Sequence, residues 1–359
     1  MKKRSCIILA STGTVGQRLV YMLSQHPWFD IVDISASKRS AGLKYEDRLK
    51  DSWYLDVDIP EEIAEMKIKL TEPKEVQKAD IAFSALPSKE AKQIELDFAK
   101  AGYYIQSKAS AHRQDQDVPL IIPELNADHL DLVKLQRDSK WSGAIVTDPN
   151  CTTVGLAMVL KPIYEEFGIK SVIANTWQAI SGSGIPGVPG LLINDNVIPF
   201  IAGEEEKVES EVLKILGKLE KDSIKDAGFP IASTCTRVPV TDGHFETLYI
   251  NTQEKIEDIQ KVKKILGDFK GIPEFLKYKE NFTYAPKDPI IVREEINRPQ
   301  PRLDRLAGTV PGMAVSVGRI RKGVDNFSIN LCLISHNTIR GAAGASLLGA
   351  EMALMKNYI

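Results

Sequence analysis

Cysteine is scarce in this chain. Cys6, Cys151, Cys235 and Cys332 are the four in 359 residues, far apart and without metal-type spacing. That pattern excludes a disulfide scaffold and a thiolate zinc site, and it predicts reduced thiols in a cytoplasmic protein with no bound metal. Net charge is nearly absent, since 46 Lys and Arg face 48 Asp and Glu, leaving −2. No global field then attracts nucleic acid or an anionic membrane surface. No apolar run reaches the length of a membrane span. The basic start, Lys2-Lys3-Arg4, precedes an apolar stretch too short for a signal peptide. Internal repeats and low-complexity segments are not apparent. What is present is 43% apolar and 26% charged residues, in a chain long enough for two domains with a sizeable core.

The first part of the chain alternates. Residues 5–10, 30–36, 79–86 and 103–107 read as buried strands, with helical spacing after residue 18 and over 89–101. Strands alternating with helices predict a parallel, doubly wound sheet, the Rossmann type of α/β domain. The texture changes after Cys151. Strand-like runs occupy 170–180, 231–240, 245–252, 313–320 and 326–334, with helices over 204–220 and 255–268. This predicts an α+β domain with a largely antiparallel sheet. The segment 338–355 is Ala/Leu-rich and reads as a helix, with Ala345, Leu348, Met352 and Met355 at core spacing. The boundary falls near 148. Residues 1–148 and 338–359 are read as the nucleotide-binding domain, and 149–337 as the catalytic and dimerisation domain.

The run Asp148-Pro149-Asn150-Cys151-Thr152-Thr153 lies between a strand-like stretch and a helix-periodic one. Asn150 is a good N-cap, so Cys151 falls at a helix N-terminus, where the peptide dipoles favour a thiolate nucleophile. A small, inert, buried cysteine is the competing reading of the same run. In the first βα turn stand Ala10-Ser11-Thr12-Gly13-Thr14-Val15-Gly16, where backbone N–H groups and a helix start can hold a pyrophosphate. After the second strand comes Ser37-Lys38-Arg39-Ser40 rather than an acidic residue. Two cations and two hydroxyls suit a 2′-phosphate, hence NADP, although solvated loop charges would read the same. Gln178 ends a strand before a Gly-rich turn, and Arg237 and His244 flank another turn. An amide can orient a thiol or acyl oxygen, a guanidinium can clamp a carboxylate, and an imidazole can move protons. Glu211 and Lys214 share one face of a charged helix, and Arg113 sits in a polar loop. Each of these alone also fits a structural or solvated residue.

In order and spacing the segments closely resemble the aspartate-β-semialdehyde dehydrogenase family, in its archaeal and fungal form. The likeness rests on 11–17, 37–42, 112–120, 149–153, 178–184, 203–211, 237–244 and 337–344. The resemblance implies a glyceraldehyde-3-phosphate-dehydrogenase-like catalytic domain behind the Rossmann-type one, NADP as cofactor, a small-molecule substrate and a homodimer or homotetramer. It implies Cys151 as nucleophile, His244 as acid–base residue and Gln178 as the amide beside the nucleophile. Arg237 would hold the substrate α-carboxylate and Glu211 the α-ammonium, with Arg113, Asn150 and Lys214 toward phosphate. Cofactor contacts would be Ser11, Thr12, Gly13, Thr14, Val15, Ser37, Arg39, Ser40, Ser183, Gly184 and Asn337. Two positions depart from the family pattern. Ala10 replaces the usual first glycine of the loop, and Asp148 stands where Asn is usual. A carboxylate pointing toward Cys151 would raise the thiol pKa.

The implied reaction is NADPH-dependent reductive dephosphorylation of L-4-aspartyl phosphate through a cysteine thioester. It serves the biosynthesis of lysine, threonine, methionine and isoleucine. Malonyl-CoA or succinyl-CoA reduction on the same scaffold is the alternative within the enzyme class. A catalytically silent NADP-binding regulator is the alternative outside it.

Overall fold

The alternating half folds as its apolar runs require. In the computed structural model, which describes residues 2–359, six short strands form one parallel sheet. They are β1 (Arg4–Leu9), β2 (Phe29–Ala36), β3 (Lys69–Leu70), β4 (Ile81–Ser84), β5 (Tyr104–Ser107) and β6 (Ala144–Thr147). Their order is β3-β2-β1-β4-β5-β6, and every pairing is parallel. β4, β5 and β6 are buried at every residue, as strands covered by helices on both faces must be. The order reverses beside β1, which opens a crevice at the carboxyl ends of the strands. The helix Thr14–Ser24 starts at that crevice.

The second half forms a mixed sheet. Its strands are β7 (Ile169–Gln178), β10 (Ile231–Arg237), β11 (His244–Thr252), β12 (Ile290–Val292), β13 (Val315–Lys322) and β14 (Ser328–Ser335). A separate ribbon pairs β8 (Lys218–Leu219) with β9 (Ile224–Lys225). The sheet order is β10-β7-β11-β14-β13-β12. The three inner pairings are antiparallel and the two outer ones parallel. Along β11 buried and half-buried residues alternate strictly, so one face is covered. The cover is the helix Cys151–Phe167, with Glu204–Ile215 and Ile259–Asp268 beside it. The opposite face carries Ile173, Asn175, Thr247, Tyr249, Asn330 and Cys332, brought into line by the strand register.

Two elements differ from their sequence reading. The helix expected over 204–220 stops at Ile215, because the chain leaves through Gly217 into β8. The expected helix over 338–355 begins as a π-turn, Ile339–Ala343, before the α-helix Gly344–Met355. π-turns of this kind recur at functional sites. The strands β3, β8, β9 and β12 span only two or three residues, too few for a period to register. The helix Gly344–Met355 is buried through Leu354 and packs on β5 and on Thr14–Ser24. Arg340 in the π-turn is 1% exposed and pairs with buried Glu124 at 2.7 Å, tying the chain's end to both halves.

Candidate active site

Cys151 is the first residue of its helix. The Asn150 side-chain oxygen accepts from the N–H groups of Thr152 (2.8 Å) and Thr153 (3.4 Å), the N-cap that the sequence predicts. Those two N–H groups are thereby spent, which leaves the Cys151 N–H as the first-turn donor for an acyl oxygen. Asn150 is itself held, its N–H by Glu211 (2.6 Å) and its side-chain amide by Glu204 (2.9 Å). The π-turn lies directly against the nucleophile. A Cβ on Gly341 would sit 2.7 Å from the Cys151 Cβ, so only glycine fits there.

His244, the first residue of β11, places its Nε2 3.2 Å from the Cys151 Sγ. Its Nδ1 accepts from the Ala179 N–H at 3.0 Å. A backbone N–H can only donate, so the neutral imidazole carries its proton on Nε2, facing the sulfur. Burial pushes the Cys151 thiol up to about 11, and Glu204 adds to the rise. Lys108, Arg237 and Arg113 oppose it. Burial and the nearby Arg237 push His244 well down. Burial thus favours the neutral form of each member of the pair. The helix start favours a thiolate here, and the loss of water opposes it. The Asp148 carboxylate is engaged elsewhere. It accepts from Gln106 (2.7 Å) and from Ser346 of the C-terminal helix.

The remaining polar groups converge from separate strands and loops. Gln178 and Arg237 are register partners at the ends of β7 and β10. Gln178 is buried and donates to Thr176 at 3.4 Å. Arg237 gives one N–H to the Ala179 carbonyl (2.7 Å), and the rest of its fork is free for an anion. Arg113 donates to Glu211 (2.7 Å) and to the Lys108 carbonyl (2.7 Å). Glu211 thus has one oxygen on Arg113 and the other on Asn150. Lys214 spends all three protons on the carbonyls of Arg113, Asp115 and Val118 (2.7, 2.7 and 2.9 Å), so it holds that loop in place.

Across the carboxyl ends of the parallel strands lies a cleft of about 1030 Å³ lined by Thr12, Gly13, Ser37, Arg39 and also Lys38 and Arg48. Ala10 adopts φ +60°, the left-handed angle that a glycine would take freely. A Cβ on Gly16 would meet the Ala10 carbonyl at 2.3 Å, so the turn is closed around that glycine. Thr14 Oγ1 is buried without a partner among the described residues, at the helix start and 3.9 Å from where a Gly184 Cβ would be. Val15 packs into the first core. Ser11 turns inward, its N–H and hydroxyl both on the Ser35 carbonyl (2.9 and 3.2 Å). Ser40 is buried and accepts from Arg48 Nε at 2.9 Å. Ser183 donates to the Ile180 carbonyl, and Asn337 links the Gly243 N–H to the Ser181 hydroxyl. Ser11, Ser183 and Asn337 therefore shape the cleft through the turns they brace.

Sequence reasoning missed three groups. Lys108 follows β5 at the switch side of the sheet, and that position was a usable signal. Its Nζ donates to the Pro149 carbonyl at 2.6 Å, and burial brings its pKa down to about 8. Glu204 had a signal only in the acidic run that contains it. Arg48, in a short helix after the second strand, had none.

Residues 6–133 match the family described as semialdehyde dehydrogenase, NAD binding domain, and 160–340 match the semialdehyde dehydrogenase dimerisation domain. Fold and site together define a two-part semialdehyde dehydrogenase. The chain is 46% identical to the aspartate-semialdehyde dehydrogenase of Methanothermobacter thermautotrophicus, over 96% of this chain and 97% of that one. It is 38% identical to a malonyl CoA reductase (NADP) of Metallosphaera sedula, over 98% and 97%. The crystal structure of the Candida albicans aspartate semialdehyde dehydrogenase with NADP superposes with a TM-score of 0.89 at 37% identity, covering 100% of both chains. The chain belongs to the aspartate-semialdehyde dehydrogenase family.

Proposed function

We propose that the protein reduces L-4-aspartyl phosphate with NADPH to L-aspartate 4-semialdehyde and phosphate, through a thioester on Cys151. The 3.2 Å contact between Cys151 and His244 at a helix start carries this reading. The cleft suits the cofactor. Unpartnered Thr14 Oγ1 and the helix N-terminus fit a pyrophosphate, and Ser37, Lys38, Arg39 and Arg48 fit a 2′-phosphate. NADPH, when bound, supplies the hydride that reduces the acyl carbon.

The protein's own groups do the rest. Arg237 clamps the α-carboxylate, and Arg113 lies toward the phosphate. The sulfur attacks the acyl carbon, the C–S bond forms and the C–O bond to phosphate breaks. The proton released from the sulfur is carried away on the phosphate, which leaves as hydrogen phosphate. The Cys151 N–H and the His244 Nε2–H donate to the acyl oxygen as negative charge collects on it. After hydride addition the thiohemiacetal oxyanion collapses to the aldehyde, the C–S bond breaks with its electron pair going to sulfur, and the thiolate takes up a proton from water to restore the resting enzyme. His244 works by donating from Nε2, since the Ala179 N–H occupies its other nitrogen.

The open face of the second sheet fits a second copy of the chain, giving a homodimer. The balanced charge and reduced thiols suit the cytoplasm. The test is NADP- and phosphate-dependent oxidation of L-aspartate 4-semialdehyde, followed as NADPH absorbance. Cys151→Ala is expected to lose about 10³-fold or more in rate while still binding NADP. A comparable rate in that variant removes the thioester. Faster turnover of malonyl-CoA than of the aspartyl substrate moves the protein to the reductase reading.

A further inference from the structure

The peptide that leads into Cys151 is gripped at both ends. Its carbonyl, that of Pro149, accepts from the Lys108 Nζ at 2.6 Å. Its N–H, that of Asn150, donates to Glu211 at 2.6 Å. A cation on the oxygen and a carboxylate on the N–H make two charge-assisted bonds to one peptide plane and hold it in one orientation. Gly341 packs against the Cys151 Cβ, where no larger residue fits. The start of the nucleophile helix is thus fixed by charge at its leading peptide and by close packing at its first side chain.

Lys108 is a costly residue to place there. It is half-buried, in the first position past β5. Its backbone is held as well, the N–H on the Ser84 carbonyl at 2.9 Å and the carbonyl by Arg113 at 2.7 Å. Burial brings its ammonium down to about 8, and Arg113 adds to the fall, while Asp148, Cys151 and Glu211 oppose it. A neutral donor would bind the Pro149 carbonyl without that cost. What only a cation adds is its field at the sulfur.

Bond geometry sets the reach of that field. From the Lys108 Nζ through the Pro149 carbonyl and one further residue to the Cys151 sulfur, the path is at most about 12 Å. At an effective dielectric constant of about 20, a unit cation at that range favours the thiolate by about tenfold. Around the thiol, Glu204 opposes ionisation and Lys108, Arg237 and Arg113 favour it, Lys108 foremost. His244, whose charged form burial disfavours, meets the sulfur at 3.2 Å.

We propose that Lys108 is a positioning residue for the nucleophile, its ammonium holding the peptide before Cys151 and supplying the positive charge under which the thiolate forms. The role rests on Cys151 as the nucleophile and not on which acyl group it attacks. The charge is present below about pH 8 and is lost as the pH rises through that value.

The test follows alkylation of Cys151 by iodoacetamide, read by mass on the Cys151 peptide, in wild type, Lys108→Met and Lys108→Arg. Wild type should react about tenfold faster than Lys108→Met near pH 7 and lose that lead above about pH 9, as the ammonium titrates. Lys108→Arg should keep the lead at the higher pH, because a guanidinium stays charged. Thermal unfolding and NADP titration report whether each variant is folded. The labelling needs no substrate, so it succeeds or fails apart from the activity of Cys151→Ala. Equal rates in wild type and Lys108→Met, or a difference of the same size at every pH, overturns the assignment. So does a Lys108→Arg protein that follows the Lys108→Met curve.

Discussion

Single residues show where this fold tolerates strain. Ala10 holds φ +60°, which costs a side-chain-bearing residue about 1–2 kcal/mol. Ala10→Gly relieves that strain but loosens the unfolded chain, so its stability should lie within about 1 kcal/mol of wild type. Ala10→Val should lose more than about 1 kcal/mol and weaken NADP binding, as read by thermal unfolding and cofactor titration. Equal behaviour of the two variants would mean that the angle is not the constraint. Glu246 presents the opposite case. It is buried on the covered face of β11, and neither of its oxygens has a partner among the described residues. Burial raises its pKa well above the ordinary carboxylate range, so the folded protein keeps it protonated. The unfolded chain releases that proton at the ordinary value. Stability contributed by Glu246 is thus full at low pH and is lost as pH rises, by at most about 1.4 kcal/mol per pH unit. Urea unfolding from pH 5 to 8 should show a shallower decline in Glu246→Gln than in wild type. Parallel curves would mean that the carboxyl ionises in the folded state.

At the scale of elements, the nucleophile helix depends on its cap. Asn150 satisfies two N–H groups of the first turn and ties the helix start to Glu204 and Glu211. Asn150→Ala should cost about 1 kcal/mol through the lost cap, and more through the buried Glu204 oxygen left without its donor. Chemical denaturation measures the loss, and an unchanged midpoint would show the cap to be dispensable. Much of this element was legible beforehand. Asn before Cys-Thr-Thr and an apolar period of 3.6 place the helix start within a residue. The π-turn at 339–343 was not legible, because its cause is contact with Cys151 across the molecule rather than any local preference. The short strands β3, β8, β9 and β12 were invisible for a related reason. Two or three residues form a strand only when a partner is already in place.

The whole molecule is built on two six-stranded sheets, one sandwiched by helices and one covered on a single face. The matched dimerisation domain accords with an oligomer, and the uncovered face offers its surface. There Ile173, 49% exposed, sits in register with Tyr249. Ile173→Asp should shift the protein toward monomer in sedimentation, at a cost to stability. An unchanged mass would place the subunit contact elsewhere.

The sequence by itself determined the class of fold, the break near the cysteine, the capped helix start and the basic end of the second strand. These are local signals, carried by residue types within a few positions of one another. Only the tertiary structure decided what the functional groups have free to offer. It turned Asp148 away toward Gln106 and Ser346, and it fixed the His244 proton on Nε2 through the Ala179 N–H. It also occupied both oxygens of Glu211, one on Arg113 and the other on the Asn150 N–H. Those outcomes depend on partners up to 198 residues distant, and on the loss of water around charges that no stretch of sequence encloses alone.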